Sequence, residues 1–228
     1  MATTDRSRND AAIAALRREA RAVPEFAAFV AMAGPLVATA PRGDGHPVVV
    51  LPGLATDDTS TMPMRWLLRR LGYKTSGWDL GVNRGPTPRV TEGMGSLLDG
   101  LVAKYHQRVS IIGWSLGGAF ALGLARRAPD DIRQVITLGS PLVGAPEPPP
   151  QIPVSSLYSK SDSIVPWRYS LLPDRPLREN IEVRGSHLGL GHNPAVLAIV
   201  VERLALPDGQ WRPYTGRRGR SGRQARPN

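Results

Sequence analysis

The chain has 228 residues, 41% of them hydrophobic and 21% charged, which favours one large folded domain over a disordered protein. It contains no Cys, which excludes a disulfide framework, a thiolate nucleophile and a Cys-ligated zinc or iron–sulfur centre. With only four His, a multi-histidine metal site is not expected either.

Residues 1–40 predict an N-terminal helical segment. The stretch from Ala22 to Ala40 is apolar, but Pro24, Glu25, Gly34 and Pro35 interrupt it, so it does not read as a membrane span. We expect a helix or hairpin that packs on the body, with contact at a membrane surface as the alternative. The first residues lack the pattern of a secretory signal, so we expect a cytoplasmic location, with a membrane-peripheral one as the alternative.

Residues 41–208 alternate short apolar runs with stretches of helical periodicity. Regular alternation of this kind predicts an α/β domain with about six mostly parallel strands and helices on both faces of the sheet. The last helix is expected over Ala195–Leu206, opened by Asn193 and Pro194. The six predicted strands are Val48–Leu51, Tyr73–Trp78, Val109–Ile112, Val135–Leu138, Val154–Tyr158 and Ile181–Val183.

Residues 209–228 predict a basic, flexible tail. Six Arg lie among the last seventeen residues, and without them the net charge falls from +10 to +4. Such a tail is usually a solvated extension, and weak attachment to anionic lipid or nucleic acid is the alternative. Nucleic acid is the less favoured partner, and the sequence does not predict an oligomeric state.

The residues from Val109 onward combine a strand, a tight turn and a helix of small residues. The turn reads Gly113-Trp114-Ser115-Leu116-Gly117, which matches the G-x-S-x-G pattern of a nucleophile elbow. In such a turn a strained backbone lifts the Ser hydroxyl above the sheet, and glycines let strand and helix approach closely. Ser115 is therefore the candidate nucleophile, although a Gly/Ser turn without a catalytic role can have the same sequence pattern.

A Ser hydroxyl needs a base, and the base needs a carboxylate that orients it. His187 follows the last predicted strand and is favoured as the base over His192, which lies beside the N-cap of the final helix. Asp162 follows the penultimate strand and is favoured as the acid over Asp174, which reads as a turn residue. All of these strands end at the same edge of a parallel sheet.

An oxyanion formed at Ser115 requires two backbone N–H donors. The residue after the nucleophile, Leu116, supplies the first candidate amide. The loop after the first strand supplies the second, at Leu54, and Gly53 would let that backbone approach the substrate. Pro52-Gly53 as an ordinary turn is the alternative.

Four separated segments, VVVLPGL, GWSLGG, YSKSDSIVPW and RGSHLGL, together resemble the bacterial lipase and esterase branch of the α/β-hydrolase superfamily. Over about Pro47 to Leu206, the amino-acid sequence is most similar to that of small lidless triacylglycerol lipases. The resemblance implies an α/β-hydrolase fold and ester hydrolysis through an acyl-enzyme, with no metal and no cofactor. The sequence differs from that family at Pro52, where those lipases usually have His.

The gap between the fourth and fifth strands is a short Pro-rich loop, so we expect no cap domain. Without a cap the substrate, a small-molecule or lipid ester, would enter an open apolar groove. Thioester hydrolysis, acyl transfer, polyester breakdown and a non-catalytic binding role remain the alternatives. The candidate groove residues are Gly53, Trp114, Leu142, Val143, Ile164, Val165 and Leu188.

Overall fold

A six-stranded sheet forms the centre of the protein. The computed structural model describes residues 14, 15, 17–147, 149 and 151–216. The strand order is β2-β1-β3-β4-β5-β6, and every neighbouring pair is parallel, which confirms the predicted fold class. The strands are β1 (Pro47–Leu51), β2 (Lys74–Ser76), β3 (Val109–Trp114), β4 (Ile132–Leu138), β5 (Val154–Tyr158) and β6 (Arg178–Glu182).

Helices cover both faces of this sheet. They are α1 (Ala22–Thr39), α2 (Met62–Arg70), α3 (Pro88–Tyr105), α4 (Leu116–Arg127) and α5 (Pro194–Leu204), with short 3-10 turns at Pro129–Asp131 and Trp167–Ser170. The helix α5 begins as predicted, because the Asn193 side chain accepts a hydrogen bond from the Ala195 amide at 3.0 Å and Pro194 occupies the first turn.

The alternation of side chains along each strand divides the core into two clusters. In β1, Val48 and Val50 pack with residues of α1, α2 and α5, whereas Val49 and Leu51 pack with residues of α3 and α4. A strand that is buried on both faces carries apolar residues without a break. This is why the central strands could be read directly from the sequence.

The edge strand β6 begins earlier than predicted. The apolar run indicated a strand from Ile181, but pairing with β5 starts at Arg178. The additional residues, Arg178, Glu179 and Asn180, are polar because an edge strand has fewer neighbours. Their side chains bind nearby loops and helix α5, as in the ion pair between Glu179 and Arg203.

The connection between β4 and β5 carries no cap. Its described residues form turns and extended chain only, without a helix or strand of their own. The carboxyl edge of the sheet is therefore open on this side.

The two ends of the described chain pack on the same face. Helix α1, which follows helical residues 17–19 and a turn at residues 20 and 21, lies against α5 and α2 and buries Phe29 and Ala33. The packed body also extends past the predicted boundary at Asp208, since the Tyr214 amide donates to the Glu179 carboxylate at 2.6 Å. The rest of the predicted tail, from residue 217, lies outside the described residues.

The N-terminal helix is apolar over most of its length. A stretch over Arg17–Thr39 is long and apolar enough to cross a membrane by length and composition, although a signal sequence or a core helix can have the same properties. Only 17% of an 18-residue part of this stretch is buried, and its exposed side chains include Val23, Phe26, Val30 and Met32.

A charged cluster joins the chain before β1 to strand β4 and the end of α5. Asp44 binds the ring of His46 at 2.5 Å and accepts a hydrogen bond from Arg133 at 2.7 Å, and Arg133 also donates to the Leu206 carbonyl at 2.7 Å. Burial by itself raises the pKa of Asp44, but the hydrogen bonds from His46 and Arg133 outweigh it and hold the pKa far below its ordinary value.

Replacing Asp44 with Asn should therefore lower the free energy of unfolding in a pH-dependent way. A carboxyl whose pKa is depressed by folding stabilises the protein above its unfolded pKa, about 4, and loses that contribution as the pH falls. Urea titrations between pH 3 and 8 should show the largest difference from the parent near neutrality and a shrinking one below about pH 4. Asp130→Asn, at an exposed position, is the control, and a difference for Asp44→Asn that is constant with pH would contradict the assignment.

Candidate active site

The turn between β3 and α4 holds Ser115 in a strained conformation. Its φ of 52° and ψ of −125° lie in a region that residues other than Gly rarely adopt. The Ser115 amide donates to the Leu138 carbonyl at 2.9 Å, and the Gly118 amide donates to the Ser115 carbonyl at 2.9 Å. These bonds fix Ser115 at the carboxyl edge of the sheet.

The glycines around this turn are required by close packing. A Cβ atom added to Gly113 would lie 2.4 Å from the Gly117 carbonyl oxygen, and one added to Gly117 would lie 2.4 Å from the Leu51 carbonyl oxygen. A Cβ at Gly118 would lie 2.0 Å from the Ser140 hydroxyl. Strand, helix and the loop after β1 can therefore approach the turn only because these positions lack side chains.

Asp162 and His187 form a buried pair at the same edge. The Nδ1 atom of His187 lies 2.7 Å from Oδ2 of Asp162, and both side chains are at most 4% exposed. The other carboxylate oxygen, Oδ1, accepts from the amides of Ile164 at 2.9 Å and Val165 at 2.8 Å. Since an ionised carboxylate only accepts hydrogen bonds, Nδ1 carries the proton and Nε2 is left as the basic nitrogen.

Two further contacts fix this pair. The Trp114 indole N–H donates to the His187 carbonyl at 3.1 Å, so the residue before Ser115 holds the loop that carries the imidazole. Gly139, which follows β4 with a φ of 53°, lies so close that an added Cβ would be 2.9 Å from Oδ2 of Asp162. The alternative base, His192, instead donates from Nε2 to the Ala22 carbonyl at 3.0 Å.

Ser115 and His187 line one cavity of about 360 Å³ whose walls are mainly apolar. Ile164, Val165 and Leu188 are part of its wall, as are the predicted residues of the loop after β1. Ala55, Thr56 and Pro141 also line it and were not predicted. The lining consists of Gly53, Leu54, Ala55, Thr56, Trp114, Ser115, Leu116, Pro141, Ile164, Val165, His187 and Leu188.

The structure corrects two of the predicted groove residues. Leu142 is buried in the core cluster beneath α3 and α4, and its amide donates to the Tyr169 carbonyl at 2.7 Å. Val143 is 70% exposed and does not line the cavity. The loop after β4 turns away from Ser115 directly after Pro141. The apolar residue types alone did not indicate this change of direction.

The loop after β1 lies directly against Ser115. A Cβ added to Gly53 would be 3.1 Å from Cβ and 3.7 Å from Oγ of Ser115, so only a glycine leaves this space open. Within the described residues, no backbone hydrogen bond is made by the amide of Leu54 or of Leu116. Leu116 is the first residue of α4, where N–H groups have no partner inside the helix and favour negative charge.

Asn83 holds this loop and was missed by the sequence analysis. It is completely buried, and its side-chain amide donates to the Pro52 carbonyl at 2.9 Å. Its own amide donates to the Thr56 carbonyl at 2.8 Å and its carbonyl accepts from the Ala55 amide at 2.7 Å. The loop that carries Leu54 is thus bound on both sides by one residue.

Among the described residues, no group of three or more His, Cys, Asp or Glu side chains is placed to hold a metal ion.

Comparison with solved structures identifies the architecture. One similar structure belongs to the work on LipS and LipT, two metagenome-derived lipolytic enzymes (TM-score 0.55, 15% identity, 72% of this chain and 93% of that chain). Another is the pyrethroid hydrolase PytH (TM-score 0.56, 13% identity, 69% and 96%). A third is MGS-MChE2, an α/β-hydrolase enzyme from the metagenome of lagoon sediments at Mar Chica, Morocco (TM-score 0.52, 16% identity, 71% and 91%).

The chain has the α/β-hydrolase fold. At these identities the likeness concerns the fold, and the chemistry has to be argued from the site itself. No protein-family model matches the sequence, and no curated protein sequence matches it.

On the sequence prediction that Ser115 attacks esters and that Leu54 supplies an oxyanion donor, replacing Asn83 with Ala should lower ester turnover by about tenfold or more, because an oxyanion donor that is lost entirely costs roughly 10²–10³ in kcat. Steady-state kinetics on a p-nitrophenyl ester would measure this, with a smaller change in KM. Asn180→Ala is the matched control, since Asn180 also pins a loop through two hydrogen bonds, to Leu172, but away from Ser115. Equal losses in the two variants would assign Asn83 to stability alone.

Proposed function

We propose that this protein is a serine hydrolase of the lipase and esterase type, which cleaves acyl esters through an acyl-enzyme. The proposal is carried by one observation: Ser115, in a strained turn, lines the same apolar cavity as His187, whose Nδ1 atom binds Asp162. The similar structures of lipolytic enzymes and of a pyrethroid hydrolase support hydrolytic chemistry.

In the proposed reaction the Ser115 hydroxyl attacks the acyl carbonyl while His187 Nε2 takes its proton. Asp162 stabilises the imidazolium that forms, and the amides of Leu54 and Leu116 donate to the oxyanion. The tetrahedral intermediate collapses as the imidazolium protonates the leaving alcohol. Water then attacks the acyl-Ser115 ester with His187 as base, and the same steps release the carboxylic acid.

The character of the cavity favours an apolar acyl group. Leu54, Ile164, Val165 and Leu188 line its wall, and the described residues between β4 and β5 form no cap over it. Its volume of about 360 Å³ lies within the range of small-molecule sites. We therefore expect esters of apolar acids to be better substrates than charged or peptide acyl groups.

Replacing Ser115 with Ala should abolish hydrolysis of p-nitrophenyl esters and labelling by a fluorophosphonate, while the thermal unfolding transition is retained. The alanine lacks the attacking oxygen but removes no core packing. Ser96→Ala, at an exposed position of α3, is the control and should behave as the parent. Turnover or labelling that survives in Ser115→Ala would refute the proposed nucleophile. A panel of esters, thioesters and alcohol acceptors on the parent would then define the acyl chemistry.

The outward face of α1 supports a second part of the proposal, that the protein docks on an anionic lipid surface. Val23 is 74% and Val30 62% exposed, whereas the acid of this helix, Glu25, turns inward and binds Ser186. A continuous apolar face of this kind marks an interaction surface. Exposed cationic residues precede it, at Arg17, Arg18 and Arg21, and they complement acidic headgroups. A cytoplasmic location remains a prediction.

The double replacement of Val23 and Val30 by Ser should reduce co-sedimentation with phosphatidylglycerol vesicles, because less apolar area enters the interface. Binding should be weaker to phosphatidylcholine vesicles and should fall as salt is raised. Val82→Ser, at an exposed valine of a distant loop, is the control. Self-association lost in the double variant, without vesicle binding by the parent, would show that a second copy covers this face instead.

A further inference from the structure

A carboxylate that precedes α1 lies between the two loops that carry Asp162 and His187. We infer that Glu19 is a positioning residue, which holds the carboxylate and the imidazole in register for the reaction. This inference rests on the proposed function of Ser115, Asp162 and His187, and it assigns a role in that function to the N-terminal segment.

Glu19 binds the residue that follows each member of the pair. Its Oε1 atom accepts from the Ser163 hydroxyl at 2.7 Å and from the Ser163 amide at 3.2 Å. Its Oε2 atom accepts from the Leu188 amide at 2.9 Å. The acid loop and the base loop are thus joined by the contact between Asp162 and His187 and by Glu19. Nearer the strands, the hydroxyls of Ser159 and Ser161 also donate to the Gly185 carbonyl, at 2.7 and 3.0 Å.

The amides of the acid loop are divided between two carboxylates. Asp162 binds those of Ile164 and Val165, while Glu19 binds that of Ser163. Without Glu19 the Ser163 amide would lose its acceptor beside a nearly buried carboxylate. The turn could then rotate and carry Asp162 with it.

The base loop is held from the same side. Glu25 accepts from the Ser186 amide at 3.0 Å and from its hydroxyl at 2.7 Å, just before His187, and Glu19 accepts from the Leu188 amide just after it. The backbone on both sides of His187 is therefore bound by the N-terminal segment. Of these two carboxylates, Glu19 is the one that also reaches the acid loop.

The charge of Glu19 matters as well as its shape. Glu19 is 6% exposed, and burial by itself raises its pKa. The hydrogen bonds from Leu188 and Ser163 outweigh burial and hold the pKa below its ordinary value, so the side chain is ionised at neutral pH. Hydrogen bonds to an ionised acceptor are among the stronger ones in proteins.

An uncharged isostere cannot reproduce this bridge. A Gln side chain has one acceptor oxygen, and its NH₂ group would face a backbone N–H, either of Ser163 or of Leu188. Two donors would then oppose each other on one side. Glu19→Gln therefore breaks one half of the bridge while it keeps the volume of the side chain.

The test compares Glu19→Gln and Ser163→Ala with the double variant and with Glu202→Gln, an isosteric change at a half-exposed carboxylate of α5 that binds Arg203. We expect Glu19→Gln to lower kcat about 10- to 100-fold, since a displacement of about 1 Å at a reacting group can cost that much. KM should change less than kcat, because misplacement of the reacting groups acts on the chemical step more than on substrate binding. The double variant should lose less than the product of the single losses, since both changes act on one contact.

A spectroscopic measurement separates positioning from folding. The proton on His187 Nδ1, hydrogen-bonded to Asp162, should give a downfield resonance in the parent that disappears in His187→Ala. In Glu19→Gln this resonance should shift upfield and exchange faster with water. Ser163→Ala keeps Glu19 and its contact to the base loop, so it provides the same readout if Glu19→Gln does not fold.

A Glu19→Gln protein with parental kcat and an unchanged resonance, even with a lower melting temperature, would overturn the inference and leave Glu19 a structural anchor. Failure of the proposed function gives a different result: the parent and Ser115→Ala would then be equally inactive on every ester tested. The resonance needs no turnover, so it would still report whether Glu19 positions the pair.

Discussion

The turn at Ser115 is the constraint on which the arrangement of the site depends. Its backbone is strained, and it is held because β4 accepts its amide and because glycines let the loop after β1 come into contact with it. The neighbouring positions of β1, β3 and β4 in the sheet are what make this possible. The positions of the proposed nucleophile and oxyanion donors are therefore set by sheet order, before any side chain of the acid or base loop contributes.

Much of the fold was predictable because it rests on local patterns. Buried parallel strands such as Val109–Trp114 are apolar on both faces. Few structures other than the following turn require glycines at this spacing. The order of strands also indicated that Asp162 and His187 would meet Ser115 at one edge, since each follows a strand of the same parallel sheet. The likeness of segments such as RGSHLGL to lipase sequences pointed to the same three residues.

The sequence predictions were wrong where the direction of the chain, rather than the residue type, decides where a side chain lies. Leu142 and Val143 are apolar and follow β4, but the chain turns after Pro141, so one enters the core and the other faces solvent. The beginning of β6 was missed because an edge strand can be polar. Asn83 and Glu19 were missed because neither is part of a periodic sequence pattern that indicates burial. A polar residue in a loop, or in a run of Arg and Glu, therefore gives no sign of whether its side chain is buried and hydrogen-bonded or solvated.

The contact between Glu19 and Ser163 spans 144 residues of chain, and its partner at Leu188 is more distant still. During synthesis on the ribosome, the N-terminal helix emerges long before the strands and loops that it will bind. Contacts between such distant parts of a chain form late and slowly. Helix α1 therefore lacks these partners until the loops of Asp162 and His187 have been synthesised, which places completion of their bridge among the late events of folding.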